Sequence, residues 1–411
     1  MAETKTSDAI LDQSAQALVA QLHSRELSAE SVMHATLARI AERNPGVNAL
    51  VGMAEPEDLL AQARAMDAGP ILGPLHGLPL AIKDLVNVKG LRSTQGSPIF
   101  ADFVPDEDDA LAARLRAAGA ILIGKTNVPE FGLGSHTFNP VYGRTNNPYN
   151  PALTCGGSSG GAGVALALGM VALADGSDMM GSLRNPAAWS NVYGFRPSWG
   201  RVPAEPGQDR RLHQLSTSGP MARSPGDIAL LLDVMSHADP SRPDAKPPEA
   251  TSPLAAADLR GKRIGWLGDW GGAFPTEPGI LESCQAALQV FRDQGATVED
   301  IGAPFPFETL WHSWITLRSW QVGAGLMPIR DNKDLMKDSV QWELERAERM
   351  TALEAHEASA ERAQWYACAV ELFSRFDALI LPTTQVWPFD INQPWPTEIA
   401  GVQMDTYHRW M

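Results

Sequence analysis

Apolar residues at the start of the chain recur at helical spacing. Ile10, Leu11, Ala15, Leu18 and Leu22 lie on one face, which predicts a helical opening. Ser28, with Glu30 just behind it, predicts a capped start for a second helix, with Val32, Leu37 and Ile40 as its apolar face and Asn44-Pro45-Gly46 as its end. From Gly73 the period changes. Residues 75–84 (LHGLPLAIKD) predict a short buried strand that ends in the charged pair Lys83-Asp84. An amphipathic helix over 109–118, closed by Gly119, leads into a buried strand over 120–124. Alternation of this kind predicts an α/β fold.

Residues 139–153 are rich in Asn, Pro and Gly and are expected to be loop. The apolar run after Gly161 predicts a helix over 162–168 that turns into a strand near Val171. A second loop is expected over 175–186, and a mobile flap over 203–219. Ser224 opens another helix, and the Pro-rich stretch 239–253 predicts a surface linker. Beyond it come a strand over 262–267, a helix over 280–293, a strand over 296–301, long helices, and a last buried strand over 378–381. The expected organisation is a helical segment (1–70) packed on a core (71–238), a linker (239–258) and a second α/β part of the same domain (259–411).

Charge narrows the partners. The chain carries 33 Lys+Arg against 48 Asp+Glu, a net charge of −15. Such a surface repels phosphate, which argues against nucleic acid and anionic membrane. Cys155, Cys284 and Cys368 are odd in number and scattered, so neither a disulfide framework nor a thiolate zinc site is expected. The longest apolar run, 164–174, is too short for a span of about 20 residues, and the N-terminus has no apolar signal core. These features predict a soluble, cytoplasmic protein. No HExxH or similar spacing occurs among the histidines, and His76 reads as structural. No metal, flavin, nicotinamide or pyridoxal cofactor is implied.

The sharpest local feature is Gly156-Gly157-Ser158-Ser159-Gly160-Gly161 at the start of a helix. Three readings compete. A phosphate cradle lacks the lysine of GxxxxGK[ST]. A nucleophile elbow, with Ser159 in GxSxG, needs a strand immediately before it, and residues 146–154 are loop-like. The third reading makes the loop one part of a longer constellation.

That constellation is visible on either side. The segments Gly77-Leu78-Pro79-Leu80-Ala81-Ile82-Lys83-Asp84, Gly124-Lys125-Thr126-Asn127-Val128-Pro129-Glu130-Phe131, the Gly/Ser loop, and the stretch from Asp178 to Pro186 occur in order. Asn147-Pro148-Tyr149-Asn150 and Gly219-Pro220-Met221-Ala222-Arg223-Ser224 fit as well. From about Leu75 to Asp227 the chain resembles the amidase signature family. The resemblance implies that family's fold, a central mixed β-sheet flanked by helices on both faces. It also implies a triad with Lys83 as base, Ser158 as bridge and Ser182 as nucleophile, the two serines twenty-four residues apart as in the family.

The chemistry is coherent by itself. A serine hydroxyl needs a base. A lysine serves only when neutral, and burial at an apolar strand end favours that form. Backbone N–H groups of Met179, Met180, Gly181 and Ser182 are the candidate oxyanion hole. Here Met180-Gly181 stands where the family commonly has two glycines, and a methionine serves only where φ is not positive. Ser159, Asp178 and Arg184 match positions that brace the triad. Gly132 and Leu133 match a stretch lining the acyl channel, and Arg210 and Arg211 sit in the expected flap. Trp311, Trp314 and Trp320 form either core packing or an aromatic wall.

The expected function is hydrolysis of C–N acyl bonds (amide, anilide or carbamate) in hydrophobic or aryl small molecules, by a monomer or homodimer. An amidotransferase serving a tRNA partner fits the acidic chain less well. The alternatives are an esterase with Ser159 as nucleophile and His213, His237 or His312 as base, or a non-catalytic binding protein of the same fold. Family members usually continue past a strand like that at 378–381 with a further Gly-rich segment, whose absence after Met411 would leave core and pocket incomplete.

Overall fold

The structure, a computed structural model, describes residues 7–203, 212, 215–238 and 245–411. It divides into two compact units. The first is Met1–Leu254 with Pro388–Pro394, and the second is Ala255–Trp387 with Trp395–Met411.

The opening helices form as the apolar spacing predicts. Ser14 caps Ala15–His23 and Ser28 caps Ala29–Arg43, each accepting from an N–H of the first turn. The Asp67 carboxylate accepts from the N–H groups of Ala29 and Glu30, which completes the second helix start. Ile10, Leu11, Ala15, Leu18 and Leu22 are all buried.

The strands of the first unit, in chain order, are β1 (Leu50–Val51), β2 (Pro79–Lys83), β3 (Ile121–Thr126), a small hairpin of β4 (Phe138–Asn139) and β5 (Gly143–Arg144), β6 (Leu173–Asp178), β7 (Tyr193–Gly194) and β8 (Thr217–Ala222). Six of them make a mixed sheet in the order β1-β3-β2-β6-β8-β7. Strand β2 runs parallel to β3 and to β6, and the other pairings are antiparallel. Every residue of β2 and β3 is buried, which explains the apolar runs 79–82 and 121–124 with which they begin. The result is an α/β fold around a mixed sheet flanked by helices.

Two expectations are corrected. Residues 175–178 are strand, not loop, and a helix, Arg184–Trp189, begins inside the expected loop. Likewise Thr217–Gly219 of the expected flap lie in β8. The reason is shared. Asp175, Gly176, Ser177 and Asp178 have poor intrinsic strand preference, but a six-residue ladder from Leu173↔Ala222 to Asp178↔Thr217 overrides it. Residues 204–211, with Arg210 and Arg211, lie outside the described residues.

The second unit holds a parallel sheet, β10 (Thr297–Asp300), β9 (Arg263–Trp266) and β11 (Ala378–Ile380), with β9 central, and a hairpin of β12 (Glu398–Ile399) and β13 (Val402–Gln403). Its helices include Ile280–Asp293, Phe307–Leu326, Asp338–Glu348 and Ala352–Arg375. Between them lies a buried polar cluster. Glu343 accepts from Arg318 (3.0 Å), from the Tyr407 hydroxyl (2.7 Å) and faces His408 Nε2 at 3.0 Å. Trp311 and Trp314 stack with centroids 5.4 Å apart, and Arg409 lies over Trp311. Among the described residues no helix is long and apolar enough to cross a membrane.

Candidate active site

Lys83 is the last residue of β2, where the strand leaves the centre of the sheet. Its side chain is only 1% exposed, and its Nζ sits 2.8 Å from both Ser158 Oγ and Ser159 Oγ, 3.0 Å from Ser177 Oγ and 3.4 Å from Ser177 O. An ammonium has three donors and no acceptor, whereas a neutral amine can accept from one of these hydroxyls. Burial drives Lys83 toward that neutral form. It pulls the pKa from 10.5 to about 7, against the attraction of the Asp175 and Asp178 carboxylates.

The serine loop reaches Lys83 because glycines let backbone pass backbone closely. The loop precedes the helix Gly160–Ala167, and the Gly157–Ser158 peptide bond is cis. Gly161 donates to Asn127 O at 3.2 Å, which ties the helix start to the end of β3. A β-carbon at Gly161 would lie 2.6 Å from Ala49 O and 2.8 Å from Asn127 O. A side chain is therefore excluded there.

Ser182 sits in the turn between β6 and the helix Arg184–Trp189. Its carbonyl accepts from Ser159 N at 3.1 Å, which joins the turn to the serine loop. Among the described residues its hydroxyl makes no hydrogen bond, so Lys83 and Ser158 are directly linked while Ser182 joins them through backbone. Asp178 organises the turn. Its carboxylate accepts from Gly181 N (2.7 Å), Leu183 N (3.1 Å) and two Arg184 nitrogens (2.9 Å each). Burial alone would raise its pKa, but these bonds and the Arg184 charge take it below the usual range.

The candidate oxyanion donors divide accordingly. The Gly181 N–H is spent on Asp178, while among the described residues the Met180 and Ser182 N–H groups have no partner. Gly181 takes φ +108°, a value that favours glycine, and Met180 is not among the positive-φ residues. A methionine at 180 is thus unstrained and still presents its N–H. The Met179 and Met180 side chains are half-buried. Gly132, with φ +70°, passes next to the triad, since a β-carbon there would come 3.6 Å from Ser158 Oγ. Leu133 follows it, buried.

Sequence reasoning missed three polar groups. Ser177 supplies two contacts to Lys83 Nζ, and Asp175 Oδ1 accepts from Lys83 N at 2.8 Å. Arg196 Nε donates to Asp178 O at 3.3 Å. Reading 175–178 as strand would have revealed Asp175 and Ser177 as polar residues inside a buried element, where they need partners. Of the histidines weighed as bases for Ser159, His237 faces Arg114, His312 faces Glu361 Oε2 at 2.8 Å, and His213 lies outside the described residues. Ser159 itself is fully buried. Among the described residues no cluster of three His, Cys, Asp or Glu side chains suited to a metal ion occurs.

Known proteins resemble the chain in sequence and in fold. The model of the family described as Amidase matches residues 31–411. An acylamidase from Rhodococcus erythropolis is 32% identical over 398 residues, covering 95% of this chain and 83% of that protein. A glutamyl-tRNA(Gln) amidotransferase subunit from Rhodopirellula baltica is 39% identical over 298 residues, but the match spans 71% of this chain and only 59% of the relative. Among solved structures, a bacterial aryl acylamidase of the amidase signature family superposes with a TM-score of 0.89 at 28% identity, covering 97% of this chain and 86% of that one.

Proposed function

The chain belongs to the amidase signature family, whose members act on amide C–N bonds, and on that premise we propose that it hydrolyses amides, anilides or carbamates through Ser182, Ser158 and Lys83. The single observation that carries this reading is a fully buried lysine, held near neutrality in pKa, within hydrogen-bond distance of the bridging serine.

In the proposed cycle the neutral Lys83 amine takes the Ser158 proton while Ser158 takes that of Ser182. The Ser182 oxygen bonds to the substrate carbonyl carbon, and the carbonyl electron pair moves to oxygen. The N–H groups of Met180 and Ser182 face that developing charge. Collapse breaks the C–N bond, and the proton returns through Ser158 to the departing amine. Water then repeats the sequence on the acyl- or carbamoyl-enzyme. Asp178 and Arg184 hold the turn that aims Ser182.

The half-buried Met179-Met180 pair beside the nucleophile favours hydrophobic or aryl groups, as does the likeness to an acylamidase and an aryl acylamidase. The test is mass mapping after a fluorophosphonate, with turnover on anilides, aryl carbamates and small polar amides. A single adduct on Ser182, and a loss of about 10⁴-fold or more in kcat/KM for Ser182→Ala, are expected. An adduct on Ser159 would replace this site assignment, and preference for small polar amides would remove the aryl reading. The 39% identity to an amidotransferase component favours one other reading, ammonia release from glutamine. A glutaminase assay on the isolated chain decides it.

A further inference from the structure

A second lysine is buried one strand away from Lys83. Lys125, on β3, is registered opposite Ile82, while Lys83 is opposite Thr126. Its side chain is 0% exposed, its Nζ donates to Val86 O, and Asp84 Oδ1 lies 3.8 Å away. Asp84 is also fully buried and is held by Thr94, through N (3.0 Å) and Oγ1 (2.6 Å). On the other side of β2, Asp175 is buried against Lys83 N.

The carboxylates around the two lysines therefore differ in their partners. Asp178 has the Arg184 guanidinium, with Arg196 at 3.6 Å. Asp84 and Asp175 have no arginine among the described residues: Lys125 is the cation of Asp84, and Lys83 and Lys125 are those of Asp175. In a dry interior charge acts over longer distances than in water. A carboxylate left unbalanced beside Lys83 would hold a proton on its amine.

We infer that Lys125 is a positioning residue: its buried ammonium, paired with Asp84, also balances Asp175, the carboxylate it shares with Lys83, so that Lys83 can serve as a base. The inference rests on the reading of Lys83 as the base for Ser182. The groups facing Lys83 are Asp175 and Asp178 on β6; those facing Lys125 are Asp84, Asp175, Asp108 and Asp109. Burial opposes charge on both lysines, and the carboxylates oppose burial. Lys125 thus decides how much of the carboxylate field reaches Lys83.

The experiment follows two readouts over pH 5 to 10, in roughly half-unit steps. One is the ε-carbon resonance of Lys83 in protein labelled with 13C at lysine, assigned with Lys83→Met. The other is the rate of Ser182 modification by a fluorophosphonate. In Lys125→Met the Lys83 titration moves up by on the order of one unit, and the labelling rate at pH 7 falls about fivefold and recovers above pH 8. Lys125→Arg restores the original midpoint. Asp175→Asn, which keeps the acceptor for Lys83 N, moves the midpoint down, and it carries the test if Lys125→Met does not fold. A folded Lys125→Met with an unmoved Lys83 titration, a labelling loss equal at every pH, or an Asp175→Asn midpoint that stays or rises would overturn the inference. Failure of the underlying reading looks different: Ser182 of the unaltered protein would not label, or its rate would not follow the Lys83 titration.

Discussion

At the scale of single residues, Lys83 ties activity and stability together. Only its neutral amine can take a proton, so kcat/KM is expected to rise with pH through a midpoint near 7. The same depressed pKa costs stability. Between about 7 and 10.5 the unfolded chain holds a proton on this lysine that the folded chain lacks, so the lysine's penalty is largest below pH 7 and fades as pH rises to 10.5. Lys83→Met is therefore expected to be inactive yet more stable at pH 6, by on the order of 3 kcal/mol, with the gain shrinking toward pH 10. That is less than the full titration energy, because Ser158, Ser159 and Ser177 lose a partner. Denaturant titrations at several pH values measure it. Lys83 and Ser158 were legible in the sequence because their motifs carry them, and the structure brings their side chains together. Ser177 and Asp175 were not, because an isolated Ser or Asp announces nothing until its element is known to be buried.

At the scale of elements, the site depends on two junctions between the serine loop and the sheet. One ties the start of the helix Gly160–Ala167 to the end of β3 through Gly161 and Asn127, and the other ties Ser159 N to Ser182 O. Apolar period and punctuation were enough to find β2, β3 and most helices. The helix Ile280–Asp293 matches its expected limits. Strand β6 escaped at its functional end, where Asp175-Gly176-Ser177-Asp178 reads as a turn and tertiary pairing with β8 makes it strand. Gly176 belongs there for packing, since a β-carbon would meet Leu183 and come 2.8 Å from Ser159 Oγ. The first junction is testable. Gly161→Ala places a methyl against the backbone of Ala49 and Asn127, which cannot yield as a flexible side chain would. A loss of about 2 kcal/mol is expected from urea unfolding, and kcat is expected to fall more than KM rises, because the serine loop shifts relative to Lys83.

At the scale of the whole molecule, the two units carry different pH liabilities. The first holds a lysine that resists protonation, and the second holds the cluster of Arg318, Glu343, Tyr407 and His408. Burial and the neighbouring Arg318 charge push His408 down to about 4 from 6.5, the Glu343 carboxylate opposing them. Glu343 is raised by burial, but Arg318, His408 and Tyr407 bring it to about 2. For His408 the unfolded chain binds the extra proton between pH 6.5 and 4, so stability is lost as pH falls through that window. For Glu343 the loss follows between 4.5 and 2. Nothing in the sequence marked this cluster, because Arg318, Glu343 and His408 lie on segments whose association no local pattern encodes. The expected outcome is an acid transition that begins in the second unit, reported by fluorescence of Trp314 and Trp342, whose rings lie 5.3 Å and 6.0 Å from His408. His408→Gln keeps a polar side chain without a proton to gain. It should flatten the stability curve between pH 6.5 and 4 by about 3 kcal/mol while leaving the midpoint of kcat/KM near 7 unchanged. A variant that moved both would mean that the His408 cluster and Lys83 titrate as one system.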